Sequence, residues 1–106
     1  MLSFYPLVPI DDLPKEGMQA IDLGDEKLLI VSHQSQIFII ENRCGHFGVP
    51  LQNGKVAGGV IYCFQHGIGF NLSTGMIENR PWENCDSIKV YKSGVEDGFI
   101  GIYRDQ

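Results

Sequence analysis

Residues 43–70 read RCGHFGVPLQNGKVAGGVIYCFQHGIGF, and they hold two of the chain's three cysteines and two of its three histidines. These fall as Cys44-x-His46 and Cys63-x-x-His66, with sixteen residues between His46 and Cys63. Two thiolates and two imidazoles suit zinc or an iron–sulfur centre. Zinc fingers with two cysteines and two histidines usually pair like with like, whereas each pair here holds one of each. A one-residue gap is also tight for a zinc knuckle. A two-iron cluster accounts for the mixture better, each pair sending its cysteine to one iron and its histidine to the other. A zinc-stabilised interaction module is the competing reading of the same four residues.

The surroundings of the two pairs are distinctive. Residues 44–77 carry eight of the thirteen glycines, and Lys55 is their only charged side chain. This composition predicts two loops and a small hairpin, an inserted subdomain spanning about 43–77. Outside it the periodicity is that of strands. Residues 18–23, 27–32, 36–41, 59–64, 86–91 and 98–103 are short and rich in β-branched or aromatic side chains. Turn formers separate them, at 24–26, 32–35, 53–55 and 92–98. No sustained helical period is present, and residues 11–17 allow one helical turn at most. Many short strands at close spacing predict an all-β, antiparallel domain of sandwich or small-barrel type.

A chain of 106 residues has the length of one domain, here 1–106, and can bury a hydrophobic core. Its net charge is −5, and removing the +1 of Lys55 leaves −6 on the rest of the chain. An acidic body argues against binding nucleic acid or an anionic membrane, both of which demand a basic face. It suits solubility, and transient docking on basic patches of other proteins. The N-terminal MLSFYPLVPIDDLP lacks a basic start and is broken by prolines, unlike a signal peptide or anchor. The longest apolar runs are too short to span a bilayer. An odd cysteine count does not suggest a disulfide framework, and the expected compartment is the reducing cytoplasm.

The paired motif resembles the Rieske [2Fe–2S] signature. CGHFGVPL is similar to its first loop, with glycine two positions after the histidine. CFQHGIGFNLSTG is similar to its second, with glycine after the histidine, an aromatic at 70 and Thr74-Gly75. The likeness extends over roughly residues 7–103. It implies a Rieske-type antiparallel β-sandwich with an inserted cluster-binding subdomain. It also implies one [2Fe–2S] cluster, with Cys44 and Cys63 on the inner iron and His46 and His66 on the outer one. Two neutral imidazoles in place of two thiolates make the oxidised centre formally neutral, so adding an electron is easier than to an all-cysteine cluster. The second nitrogen of each histidine can couple reduction to proton uptake at alkaline pH.

Departures from the family pattern narrow the reading. High-potential members carry a disulfide between the loops, at positions held here by Val49 and Gln65. Their serine and tyrosine hydroxyls, which hydrogen-bond the cluster, match Ile68 and Phe70. Without those donors the potential is expected near the low end of the family range, on the order of −150 mV. Phe64 stands where many relatives have proline. Once the four ligands are assigned only His33 remains, so the mononuclear iron site of a Rieske oxygenase cannot be built from this sequence. The resemblance therefore implies a monomeric one-electron carrier rather than an enzyme, with no small-molecule substrate of its own. Its redox partners would be a flavoprotein reductase and a terminal oxygenase such as an aromatic-ring dioxygenase. The small subunit of an NAD(P)H-dependent nitrite reductase is the alternative role. Cys85 reads as a loop or core thiol, His33 as a solvated turn residue, and Lys55 as the end of an Asn-Gly-Lys turn. Phe47 and Phe64 read as water-excluding neighbours of the ligands. Trp82 reads equally as packing, as a shield over the cluster or as a partner contact.

Overall fold

The computed structural model describes residues 1–45, 49–65, 67–79 and 86–105. Among them ten strands form three antiparallel sheets: β1 (Leu2–Pro9), β2 (Gly17–Leu23), β3 (Glu26–His33), β4 (Gln36–Glu41), β5 (Lys55–Ala57), β6 (Val60–Tyr62), β7 (Gly69–Asn71), β8 (Val90–Tyr91), β9 (Ser93–Glu96) and β10 (Phe99–Asp105). The sheet orders are β1-β10-β9, β2-β3-β4-β8 and β5-β6-β7. Among the described residues one 3₁₀ turn forms, Ile10–Asp12, which overlaps the expected 11–17 only at Asp11 and Asp12. No helix among the described residues is long and apolar enough to cross a membrane.

The run Leu28-Leu29-Ile30-Val31 explains how three sheets share one framework. All four residues are fully buried, although a strand with one wet face would alternate. Alternate side chains of β3 point to opposite faces of the sheet. Leu28 and Ile30 join Ile39, Val8, Ile100 and Ile102 in a core against the sheet of β1 and β10. Leu29 and Val31 join Ile40, Leu51, Ile61 and Phe70 in a second core against the sheet of β5–β7. The register agrees, since Leu29 faces Ile40 and Ile30 faces Ile39 across β3 and β4. The middle sheet is thus the wall common to both cores, and the 44–77 segment packs on one side of it.

Four strands lie where the sequence reading placed none. β1 forms despite its prolines, because Pro6 and Pro9 sit on an edge strand with a register irregularity between Pro6 and Val8. β9 lies inside residues 92–98, whose composition predicts one long turn. The turn is only Asp97-Gly98, both with positive φ, in a two-residue hairpin that joins Glu96 to Phe99. β5 and β7 flank β6, so the expected small hairpin is a three-stranded sheet. Lys55 accordingly opens a strand rather than ending a turn. The expected strand at 86–91 is reduced to Val90–Tyr91, because Asp86 and Ile88 bond to loops instead of to a strand.

A polar latch ties the outer sheet to the middle one. The Tyr91 hydroxyl donates to Glu26 at 2.7 Å, and Arg104 from β10 donates to the other oxygen of the same carboxylate. Arg104 also stacks 4.9 Å from the Tyr5 ring centroid, and Lys89 sits 4.7 Å over Tyr91. The Tyr91 bond, followed by Arg104, holds the Glu26 carboxyl below its ordinary 4.5. Burial, followed by Glu26, raises the Tyr91 phenol above its ordinary 10.0. The signs give a bounded window. The Glu26 contribution is complete above pH 4.5 and is lost as pH falls through its folded value; that of Tyr91 is complete below pH 10.0 and is lost as pH rises. We expect Glu26→Gln to be less stable than the parent at pH 7 in urea denaturation, with the gap narrowing as pH falls below 4.5. A gap that persists unchanged at pH 3 would refute the assignment.

Candidate metal centre

The two cysteines stand at the starts of two loops that are built alike. Loop 1 follows β4, and the Cys44 N–H donates to the Val49 carbonyl at 2.7 Å. Loop 2 follows β6, and the Cys63 N–H donates to the Ile68 carbonyl at 2.9 Å. Each bond spans five residues, although one motif is Cys-x-His and the other Cys-x-x-His. In loop 2 the Gly67 N–H also donates to the Cys63 carbonyl at 2.8 Å, with Gly67 at φ +68°. Loop 2 thus contains a tight turn that glycine tolerates at no steric cost.

Both thiol-bearing residues belong to the same apolar core. Cys44 is 0% exposed and Cys63 2%, and each packs in the cluster containing Leu51, Ile61, Ile68, Phe70 and Leu72. Burial of two thiol side chains in one apolar core cluster, each at the head of a loop, is compatible with a sulfur-ligated centre. His46 and His66, the other two expected ligands, lie outside the described residues, as do Cys85, Trp82 and Phe47. Of the four expected ligands the described residues include only Cys44 and Cys63, which share one buried core cluster.

Long-range contacts hold the loops in place. A Cβ added at Gly45 would lie 1.8 Å from the Asp86 carbonyl oxygen, and the Asp86 N–H donates to the Gly45 carbonyl at 3.1 Å. The chain entering β8 thus runs against loop 1 so closely that no side chain fits. Two asparagines bind the far ends of the loops. Asn42 Oδ1 accepts from the Leu51 N–H at 2.8 Å, after loop 1. Asn79 Oδ1 accepts from the Gly69 N–H at 2.7 Å, and its Nδ2 donates to the Gly67 carbonyl at 2.9 Å. Sequence reading singled out neither asparagine. Asn is common in turns, and nothing local ties residue 79 to residues 67–69.

The residues expected to distinguish subtypes are placed clearly. Ile68 and Phe70 are fully buried and apolar where relatives were expected to offer hydroxyls. Val49 packs on the edge of the same core, and Gln65 is exposed. Phe64 corrects its expectation: it is 52% exposed, so it presents an apolar ring to solvent beside Cys63 rather than sealing the site. His33 is corrected too. It ends β3, and its side chain is only 14% exposed. Its Nδ1 lies 3.2 Å from Glu16, while Nε2 is buried with no hydrogen-bond partner among the described residues. The Gln34 N–H, followed by His33, lowers the Glu16 carboxyl from its ordinary value. The turn itself is Gln34-Ser35, both with positive φ.

Comparison with known proteins agrees with this geometry. The family model for the Rieske [2Fe-2S] domain matches residues 3–92. The chain is 32% identical over 93 residues to apoptosis-inducing factor 3 of Mus musculus, covering 88% of this chain but only 15% of that protein. It is 27% identical over 102 residues to the ferredoxin component of the alkene monooxygenase system of Xanthobacter autotrophicus, covering 95% of this chain and 81% of the relative. The solved structure of the Sphingomonas yanoikuyae B1 ferredoxin superposes with a TM-score of 0.84 at 24% identity, covering 97% of this chain and 100% of that one.

Proposed function

The chain belongs to the Rieske [2Fe–2S] domain family, and on that footing we propose that it is a one-electron carrier serving an oxygenase system. The observation that supports it is that Cys44 and Cys63 are both buried in one apolar core, each with its amide bonded to the carbonyl five residues on. We assign Cys44 and Cys63 to the inner iron and His46 and His66 to the outer one. The cluster supplies reversible one-electron transfer when bound. The chain's own contribution is to exclude water with Leu51, Ile68, Phe70 and Leu72 and to hold the two ligand loops rigid. Residues 43–77 act as the cluster-binding subdomain of a single domain, 1–106.

The ferredoxin component from Xanthobacter supports the free-carrier form of this reading, since the match covers most of both chains. The mouse relative is far longer, so the same domain also occurs as a small part of a larger protein. As a carrier the chain turns over no substrate itself. It takes an electron from a flavoprotein reductase and delivers it to a terminal oxygenase, through small, short-lived contacts. An acidic, monomeric protein of the reducing cytoplasm suits that traffic.

The test is direct. The purified protein should be red-brown, hold two irons and two sulfides per chain, and take up one electron. Its reduced form should give the rhombic EPR signal of a single mixed-valence cluster, and a flavoprotein reductase should reduce it. A colourless protein with one zinc per chain would overturn the reading. Tight co-purification with a sirohaem subunit would replace the oxygenase partner by a nitrite reductase.

A further inference from the structure

We propose that Asn79 is the positioning residue of the second ligand loop, acting on Cys63 through the peptide that joins Ile68 to Gly69. The inference rests on the cluster reading above and adds a residue outside both ligand motifs.

The geometry is a short relay. Asn79 Oδ1 accepts from the Gly69 N–H at 2.7 Å. The carbonyl of that same peptide belongs to Ile68 and accepts from the Cys63 N–H at 2.9 Å. A trans peptide is planar, with N–H and C=O directed to opposite sides. Asn79 and the Cys63 amide therefore sit on opposite sides of one rigid plate, and fixing one side fixes the other. Successive hydrogen bonds through one amide also polarise one another.

The other half of the carboxamide governs the preceding peptide. Asn79 Nδ2 donates to the Gly67 carbonyl at 2.9 Å. By the same planarity the Ile68 N–H is directed away from Asn79. Gly67 has φ +68°, and among the described residues nothing lies within 4 Å of a notional Cβ, so packing at that position does not hold this turn. One side chain thus orients the two peptides that flank Ile68, and it locks Ile68 into the buried core. Asn79 is itself anchored: the Glu78 N–H donates to the Gly69 carbonyl at 2.8 Å, and Ile77 bridges to Phe70. Loop 1 has a partial counterpart in Asn42, which accepts from the Leu51 N–H and donates through Nδ2 to Gln52 Oε1.

Groups beyond the ligands of a metal site commonly change metal retention by about 10–100-fold when removed. In Asn79→Ala we expect iron to pass to a chelator at least about tenfold faster than in the parent, with a changed EPR line shape and a shifted reduction potential. Asn79→Asp retains the acceptor for the Gly69 N–H, so it should hold iron longer than Asn79→Ala. Arg104→Ala, which weakens the distant latch, should lower thermal stability yet leave line shape and potential unchanged. Asn79→Ala with parental iron loss, line shape and potential would overturn the proposal, as would Asn79→Asp losing iron as fast as Asn79→Ala. A parent protein that holds no [2Fe–2S] cluster would instead overturn the functional reading itself.

Discussion

Cys63→Ser is expected to yield a protein without the red-brown chromophore, holding less than about a tenth of the parental iron, as for loss of a metal ligand rather than of an outer contact. The cysteine ligates as a thiolate, and a serine hydroxyl does not ionise near neutral pH, so the substituted loop offers the iron no anion. The position is 2% exposed, so water cannot readily supply the missing ligand. Loop 2 loses its metal tie as well, because ligand binding and local folding are one equilibrium in such sites. Cys44→Ser should behave in the same way, and His66→Ala should also lose the cluster. Cys85→Ser should keep the parental spectrum. Iron and sulfide per chain, with the visible spectrum, decide the matter. A Cys63→Ser protein with a full cluster, or a Cys85→Ser protein with none, would refute the ligand assignment.

Gly75→Ala is expected to cost the protein roughly 3–5 kcal/mol, the sum of a disallowed backbone and a steric overlap. Gly75 has φ +79°, and a Cβ there would lie 2.0 Å from the Ile88 carbonyl oxygen and 3.0 Å from its carbon. Neither side can yield easily. The Ile88 N–H donates back to the Gly75 carbonyl at 2.9 Å, and Ile88 is 4% exposed in the core that holds both cysteines. A loss of this size takes a large share of the roughly 5–15 kcal/mol available to a folded domain. Gly58→Ala is the matched control. It has φ +59° in the β5–β6 hairpin, and among the described residues no atom lies within 4 Å of an added Cβ, so only the backbone term of about 1 kcal/mol applies. Urea denaturation of the two variants measures the difference, and equal costs would show that the contact at Ile88 carries no energy.

These two outcomes mark the border between local and tertiary information. The turn in which Gly75 sits could be suspected from Thr74-Gly75, since a glycine after a polar turn residue often takes positive φ. Its contact with Ile88 could not, because twelve residues separate them in the sequence. The same holds for Gly45 against Asp86, and for Asn79 against Gly67 and Gly69. The middle-sheet strands β2, β3 and β4 were legible because apolar pattern and turn residues are local signals. β7 was not, since Gly69-Phe70-Asn71 is too short to show a period and its pairing depends on β6. β9 was hidden inside a polar stretch, although Asp97-Gly98 carried the hairpin signal that would have found it.

Chemistry of the donor kind was written in the chain alone. Two Cys/His pairs at short spacing state which atoms are available and that each loop offers both types, and no folding is needed to read that. The missing hydroxyls at Ile68 and Phe70 were equally plain, being matters of residue identity. Only the tertiary structure decided what surrounds Cys44 and Cys63. It buried both thiol side chains in the core shared with β3 and closed each loop by a bond from its cysteine amide. It also supplied Asn79 and Asp86 from distant segments as braces. The physical reason is that ligand identity belongs to single residues, whereas ligand position depends on hydrogen bonds and close packing between segments that meet only after the sheets have formed.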